Sequence, residues 1–435
     1  MAKKYFTQKQ LKNIDIFEYK SVCYSILTNL VLDPLYSVLV YAIPSSVTPN
    51  QITVFNGILY TLFTTMFVTS CYSNEHPLLA KVFNQPLLLN QSVNDFFSNY
   101  GFYAHAIMLV VYQGLDSLDG KQARRTKTSS PSGHLLDHGI DALVTGLVCI
   151  NLFYLIELSE NHFYAYLACS LVVFFLNTWE EFHSKVLYFG LFSGAVEGLF
   201  AMSSLLILFP NKDFWHHKMI KNDLIISSVE LVCKYVLQVF IQVCTSAQLV
   251  LNQLDGIVSL PITKYFVEMD SNLAKTSQLA INFFNKKADK ELQVPIPGLY
   301  EFLVGKQGLF YFSQGMTLIQ LLIIIAIVFT LFSTAACVFN VFKKRGVTGL
   351  FNTYQFVPFT LMNASVLYYL LTSDHVQSPK QFTLLVFGWV FSLAYANVSI
   401  TCARILNQSF PVFPKVYLGY ILLIVLKLIH EDVIK

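Results

Sequence analysis

The chain has 435 residues, of which 54% are hydrophobic and only 13% are charged, and its formal net charge is +3. Soluble globular proteins carry about a quarter charged residues, so this composition excludes an ordinary soluble protein and predicts a membrane protein. The net charge itself says little, because in a membrane protein the distribution of charge matters more than its sum, and we expect no nucleic-acid partner. We therefore predict an all-α, polytopic membrane protein with about nine to ten transmembrane helices.

The first element is a predicted cytoplasmic N-terminus, residues 1–51, which begins with a polar, lysine-containing stretch. Within it, Leu30 to Ala42 is apolar and ends before Pro44. A spanning helix needs about 20 apolar residues, so this segment is too short to cross a bilayer. We expect an interfacial helix that lies along the membrane surface.

Nine later segments are apolar and long enough to be candidate spans. They are 52–72, 101–120, 135–157, 162–178, 186–209, 314–342, 350–372, 381–406 and 411–430. With the N-terminus inside, nine spans place three basic groups on the cytoplasmic side: the N-terminal lysines, the 121–132 loop and Lys343 to Arg345. This divides the rest of the chain into helices over 52–209, a lumenal segment over 210–312, and C-terminal transmembrane helices over 313–435.

The 210–312 segment allows two interpretations. Leu224 to Leu254 is apolar but contains Glu230 and Lys234, four residues apart. It is either an amphipathic helix on the lumenal surface or a tenth span with an internal ion pair. We favour the amphipathic helix, because a tenth span would move Lys343 to Arg345 to the lumenal side.

Residues 116–141 contain four aspartates on two consecutive predicted helices. Asp116 and Asp119 are three apart and share one helix face, while Asp137 and Asp141 are four apart and share a face of the next helix. The polar link 125–132 is short enough for an antiparallel pair. The four carboxylates are therefore predicted to face one another near the cytoplasmic ends of two spans.

Such a cluster needs counter-charge, because one ionised carboxylate at membrane depth already costs about 2.5–3.5 kcal/mol on insertion scales. Two divalent ions would balance four carboxylates, and oxygen ligands favour Mg²⁺ or Mn²⁺. Paired metals of this kind serve phosphoryl transfer. Gly120, Ala123 and Gly133 leave room for a ligand near the backbone, and Arg124 is suited to a phosphate. The alternative, a structural ion cluster paired with Arg124 and Arg125, is disfavoured by four aspartates on two facing helices.

The motif over these residues is Asp-x2-Asp-Gly-x2-Ala-Arg-x8-Gly-x3-Asp-x3-Asp, from Asp116 to Asp141. It resembles in full the signature of the CDP-alcohol phosphatidyltransferases. The surrounding sequence, the Trp179 to His183 stretch and the Thr48 to Thr53 entry into the first span resemble the eukaryotic choline/ethanolamine phosphotransferase branch.

The resemblance implies a role for each matching residue. Asp116, Asp119, Asp137 and Asp141 would hold two Mg²⁺ or Mn²⁺ ions. The CDP group would contact a further set of residues: Asn50, Gly120, Ala123, Arg124 and Gly133. Asp141 or His138 would take the acceptor's proton. The branch usually has Glu at the position of His134, which puts the version of the mechanism with a Glu/His pair in doubt.

The resemblance also implies the substrates and the setting. The donor would be CDP-choline or CDP-ethanolamine and the acceptor diacylglycerol, within a lipid bilayer. The protein would be a multi-pass homodimer in the endoplasmic reticulum or the Golgi. Two rivals stay open: a CDP-diacylglycerol-dependent enzyme that acts on a soluble alcohol such as inositol, and a cation-coupled membrane transporter.

Overall fold

The computed structural model describes residues 7–75, 91–190, 194–220, 316–372 and 379–415, together with Tyr417 and Gly419. This part of the chain is mostly helical, as predicted. Its α-helices are α1 (Gln8–Asp15), α2 (Asp33–Leu39), α3 (Pro49–Glu75), α4 (Gln91–Thr126), α5 (Pro131–Leu155), α6 (Glu160–Ser184), α7 (Leu199–Leu208), α8 (Lys212–His216), α9 (Leu318–Arg345), α10 (Val347–Phe351), α11 (Phe356–Thr372) and α12 (Pro379–Ile405).

Short helical and extended pieces complete the described chain. Thr28–Leu32 and Gly194–Gly198 are π-helical, and Val40–Ala42 and Asn352–Gln355 are 3₁₀-helical. Strand β1 (Ser21–Cys23) pairs in parallel with β2 (Leu187–Phe189), and β3 (Lys218–Ile220) pairs antiparallel with β4 (Met316–Thr317). The all-α prediction missed these strands because two or three residues carry no detectable periodicity.

Five helices within the described ranges are long and apolar enough to cross a membrane, and each overlaps a predicted span. They are Pro49–Cys71, Pro131–Leu155, Glu160–Ser184, Leu318–Arg345 and Leu385–Ile405. The predicted segment 101–120 lies inside α4, which is helical throughout but is not among these five. The predicted spans 186–209 and 350–372 contain shorter helices, Val196–Leu208 and Phe356–Thr372.

The remaining topology predictions are not decided. Most of 411–430 and of the 210–312 segment lies outside the described residues. The total of nine to ten spans therefore stays a prediction. The predicted interfacial segment is helical from Thr28 to Ala42 and exposes Leu30, Val38 and Tyr41.

The chain divides into two compact units. One comprises Met1–Trp215 with Ala326–Lys435, and the other comprises His216–Ile325. The candidate site lies in the first unit. The described part of the second contains β3, β4 and the start of α9.

Helix α5 packs closely against a helix on either side, because a glycine lies at each of the two contacts. At Gly57 of α3, an added Cβ would be 2.9 Å from Ile140 of α5. At Gly146 of α5, an added Cβ would be 2.9 Å from the Cβ of Val390 on α12, and closer still to its methyl groups. Helix α5 is thus packed between α3 and α12, and its polar N-terminal half is held in one position.

Local sequence sets where α5 begins. Ser130 adopts an extended backbone conformation, its side chain accepts a hydrogen bond from the Gly133 amide at 3.1 Å, and Pro131 occupies the first turn. A serine cap followed by proline is a common helix start, because the cap satisfies a free amide and proline has no amide to satisfy. The start of α5 fixes the position of Asp137 and Asp141, about two and three turns later.

Candidate active site

Three of the predicted aspartates come together between α4 and α5. Asp116, Asp137 and Asp141 each offer a carboxylate oxygen, and these oxygens lie within 4.8 Å of one another. All three side chains are half-buried. The helical periodicity and the short link between α4 and α5 bring these residues face to face. We call Asp116, Asp137 and Asp141 the carboxylate cluster.

The carboxylate cluster suits a divalent cation. The Oδ1 atom of Asp137 is buried, and within the described residues it has no hydrogen-bond partner. Tyr112 donates a hydrogen bond of 2.5 Å to the Oδ1 atom of Asp141. Closely spaced carboxylates with an unpartnered oxygen repel each other until a positive charge binds. Their oxygen ligands are those preferred by Mg²⁺ and Mn²⁺.

Asp119 lies one turn further along α4 and is not part of the carboxylate cluster. Its side chain is buried, and its Oδ2 atom accepts a hydrogen bond of 2.5 Å from the Thr53 hydroxyl of α3. Thr53 also bonds the carbonyl of Pro49 at 3.1 Å. The first turn of α3 therefore orients Asp119. The sequence motif contains no signal for this contact from Thr53.

The predicted nucleotide-binding residues lie around the starts of α3 and α5 and the end of α4. An added Cβ at Gly133 would be 3.0 Å from the Oδ1 atom of Asn50, so the two residues are in close contact. An added Cβ at Gly120 would be 3.5 Å from a terminal nitrogen of Arg124. Arg124 is exposed and Ala123 is half-buried. The exposed guanidinium leaves Arg124 accessible to an anionic ligand.

The segment that leads into α3 is fixed by two side chains at the end of α4. Arg125 and Gln122 each donate two hydrogen bonds to backbone carbonyls. The acceptors are Val40 and Ile43 for Arg125, at 2.7 and 2.5 Å, and Pro44 and Val47 for Gln122, at 3.0 and 2.8 Å. These bonds join the interfacial segment to α4 and thereby position Asn50. Arg125 was a predicted ion-pair partner under the structural-cluster alternative, whereas its hydrogen-bond partners are carbonyl oxygens.

Tyr36 links the interfacial segment to the middle of α4. Its hydroxyl donates a hydrogen bond of 2.6 Å to Gln113. Burial, followed by the negative charge of Asp116, raises the pKa of Tyr36 above its ordinary value. Both effects favour the protonated hydroxyl, which is the form that donates this hydrogen bond.

His138, the second predicted proton acceptor, belongs to a different group of side chains. Glu181 of α6 pairs with Arg404 of α12, and its carboxylate lies 3.1 Å from His134 Nε2 and 3.7 Å from His138 Nδ1. All four side chains are buried. The rings of His134 and His138 are 4.2 Å apart. We call Glu181, Arg404, His134 and His138 the Glu181 cluster.

The Glu181 cluster contains His134, the position at which this chain differs from the choline/ethanolamine phosphotransferase branch. The resemblance expects Glu at that position, and the structure brings a carboxylate from α6 to the same histidines. The N-terminal segment covers this group: Phe17 and Tyr19 lie 5.7 and 4.9 Å from the ring of His134. Neither Arg404 nor these aromatic residues could be inferred from the motif, because they lie far from it in the sequence.

Other polar residues near the ends of α6 and α7 bind elements outside the motif. Asn340 donates a hydrogen bond of 2.7 Å to Glu180, and Gln355 bonds both Trp179 and His183, at 3.0 and 2.7 Å. The Ser25 hydroxyl donates to Glu197. These contacts give the residues a role in packing the helices together.

Comparison with known proteins agrees with the motif. Residues 46–233 match the family model described as CDP-alcohol phosphatidyltransferase. An uncharacterized CDP-alcohol phosphatidyltransferase class-I family protein of Schizosaccharomyces pombe is 34% identical over 212 residues, which are 48% of this chain and 50% of the relative.

Relatives whose names state an activity are similar over a comparable share of their length. Cholinephosphotransferase 1 of Saccharomyces cerevisiae is 28% identical over 223 residues, 49% of this chain and 51% of the relative. Choline/ethanolaminephosphotransferase 2 of Arabidopsis thaliana is 32% identical over 182 residues, 42% of each chain. The chain thus matches about half the length of these curated relatives. Residues 46–233, with their complete motif, form a domain of the CDP-alcohol phosphatidyltransferase family.

Proposed function

We propose that this protein transfers phosphocholine or phosphoethanolamine from CDP-choline or CDP-ethanolamine to diacylglycerol. The products are phosphatidylcholine or phosphatidylethanolamine, together with CMP. The observation that carries the proposal is the carboxylate cluster, with its unpartnered Asp137 oxygen, inside a CDP-alcohol phosphatidyltransferase domain. The apolar helices support a reaction whose acceptor and product stay in a bilayer.

The proposed metal ligands are Asp116, Asp119, Asp137 and Asp141. Two Mg²⁺ or Mn²⁺ ions bound there would supply positive charge that stabilises the phosphate oxygens. Asp119 is included because its carboxylate is buried and held by Thr53, one turn from Asp116. An oriented, buried carboxylate retains little freedom to lose on binding an ion.

The donor would be held by the residues at the helix ends. Arg124 is exposed and can neutralise the diphosphate. Gly120, Ala123 and Gly133 have small side chains or none, so that the nucleotide can approach the backbone. Asn50, in contact with Gly133, would contribute a polar amide to the same pocket.

The proposed reaction needs one base, which accepts the proton of the diacylglycerol hydroxyl. The diacylglycerol oxygen forms a bond to the phosphorus beside the head group, and the bond from that phosphorus to the oxygen of CMP breaks. CMP leaves with the electron pair, and the hydroxyl proton passes to His138 or Asp141. Asp141 lies in the carboxylate cluster, whereas His138 lies in the Glu181 cluster one turn earlier on α5. We also propose the endoplasmic reticulum or Golgi as the location and a homodimer as the assembly, both from the family resemblance.

The test is a transfer assay on the purified full-length protein in detergent–lipid micelles. Diacylglycerol, Mg²⁺ or Mn²⁺, and radiolabelled CDP-choline or CDP-ethanolamine are supplied in turn. We expect metal-dependent CMP release and a labelled phospholipid. Asp119→Ala should abolish turnover while the protein still inserts into membranes; an active Asp119→Ala variant would overturn its assignment as a metal ligand.

Two further arms separate the rival functions. CDP-diacylglycerol with labelled inositol tests the reverse arrangement, in which the lipid carries the CDP group. Proteoliposomes with a cation gradient and no nucleotide test a transporter. Labelled product in the inositol arm alone, or cation flux without any CMP release, would refute the proposed reaction.

A further inference from the structure

Arg404 of α12 lies outside the matched domain but is buried against it, with 5% of its surface exposed. Its Nη1 atom donates a hydrogen bond to Glu181 and lies 3.1 Å from His134 Nε2. Its Nη2 atom donates to the carbonyl oxygen of Lys185 at 3.1 Å. The planar guanidinium therefore has its orientation fixed at both terminal nitrogens.

Glu181 transmits this orientation to His138. One carboxylate oxygen of Glu181 binds Arg404, and the other faces the Nδ1 atom of His138 at 3.7 Å. Within the described residues, that buried Nδ1 atom has no hydrogen-bond partner. The distance is longer than a hydrogen bond, and catalytic hydrogen bonds often shorten only when substrate binds.

His138 lies next to the carboxylate cluster along the chain. It directly follows Asp137 and comes one helical turn before Asp141. A carboxylate opposite one ring nitrogen selects the tautomer of a histidine and directs the other nitrogen. Movement of Glu181 would therefore change the tautomer of His138 and the direction of its other ring nitrogen beside the carboxylate cluster.

The charges of the Glu181 cluster favour a role in orienting His138 over a role as a second metal site. His134, His138 and Glu181 offer three ligand atoms within 4.8 Å of one another. However, the positive charge of Arg404 is already bound to the same carboxylate. A divalent cation at this place would have to approach a bound guanidinium, which like-charge repulsion opposes.

We propose that Arg404 is a positioning residue of the transfer reaction, which holds Glu181 so that the imidazole of His138 is oriented toward the acceptor hydroxyl. The inference rests on the proposed function. It assigns to the C-terminal helix α12 a part in the site of the 46–233 domain. In the transfer, the hydroxyl oxygen bonds to phosphorus, CMP leaves with the electron pair, and the proton passes to the ring of His138.

The test is a double-mutant cycle on the full-length protein. The wild type, Arg404→Met, His138→Ala and the double variant are assayed for kcat and KM with CDP-choline and diacylglycerol. In the wild-type background we expect Arg404→Met to lower kcat by about tenfold or more, with KM for CDP-choline changed less than about threefold. In the His138→Ala background the same substitution should change kcat less than about twofold, because the residue through which it acts is gone.

Other outcomes overturn the proposal. An equal loss of kcat in both backgrounds would mean that Arg404 acts independently of His138. An unchanged kcat for Arg404→Met would show that Arg404 does not contribute to turnover. An unchanged kcat for His138→Ala would show that His138 is not the base. A wild type without turnover on any CDP-alcohol is a failure of the proposed function instead, and it is seen before any variant is made.

Two further variants guard against loss of folding. Arg404→Lys keeps the charge but not the two-nitrogen contact, so we expect normal melting and a kcat lowered by about fivefold. Wild-type kcat in Arg404→Lys would contradict the positioning role. Lys212→Met is the matched control, because it removes a cation from the exposed pair with Glu157, at 2.6 Å, and should leave kcat unchanged.

Discussion

The side-chain oxygen of Asn50 lies against Gly133, so that a Cβ atom at position 133 would be 3.0 Å from it. This contact joins the first turn of α3 to the first turn of α5. Gly133→Ala should displace the Asn50 side chain and raise KM for the CDP-alcohol by about fivefold or more, with a smaller effect on melting temperature. Steady-state kinetics and a thermal melt of the same preparation measure both effects.

Ser132 provides the neighbouring control. It is exposed, and its hydroxyl bonds only the Ser130 hydroxyl, at 3.1 Å, among the contacts of the described residues. Ser132→Ala should keep the wild-type KM. If Gly133→Ala also keeps it, Asn50 and Gly133 do not bind the nucleotide.

Substitutions at the two adjacent arginines of α4 should have different effects, one on stability and the other on donor binding. Arg125→Ala removes two hydrogen bonds to the carbonyls of Val40 and Ile43 and should destabilise the fold by about 1–3 kcal/mol. Arg124→Ala removes an exposed guanidinium and should leave the free energy of unfolding within about 0.5 kcal/mol of wild type while raising KM for the donor. Melting curves and donor titrations on the two variants separate the roles, and the reverse pattern would contradict them.

Divalent metal should stabilise the folded protein through the carboxylate cluster. At a concentration 100 times its dissociation constant, Mn²⁺ should add about 2.7 kcal/mol of stability to the wild type. Asp137→Asn removes one carboxylate charge and should abolish most of this gain. Melting with and without metal measures the effect without any turnover. Asp213→Asn, a change of an exposed carboxylate on α8, should retain the full gain; its loss there would indicate non-specific binding.

Helix packing at Gly146 should not tolerate a methyl group. Gly146→Ala would force the new Cβ to 2.9 Å from the Cβ of Val390, and the resulting shift of α12 should cost about 1–3 kcal/mol. The control is Gly101→Ala, whose Cβ would meet its nearest neighbour, Leu155, at 3.5 Å. That change should be neutral or stabilising by up to about 1 kcal/mol, since alanine favours helix. Equal melting temperatures for the two variants would contradict the packing described for α5 and α12.

Much of the site followed from local sequence. Asp116, Asp137 and Asp141 meet because helical periodicity sets the face on which each side chain lies, and the short link after Arg124 turns α5 back on α4. The start of α5 was also readable, since Ser130 and Pro131 are a strong local signal. The long polar beginning of α4, from Gln91, was not predicted, because a spanning segment is recognised by its apolar residues.

The sequence by itself determined the membrane class, the family motif and the grouping of aspartates on two adjacent helices, because composition and helical spacing are local properties of the chain. The tertiary structure decided the partners of the site residues. Asp119 is held by Thr53, 66 positions away, and Glu181 is held by Arg404, 223 positions away. No periodicity connects residues so far apart. Only the packing of α3 on α4 and of α12 on α6 brings them into contact, and that packing depends on the shapes of whole helix faces.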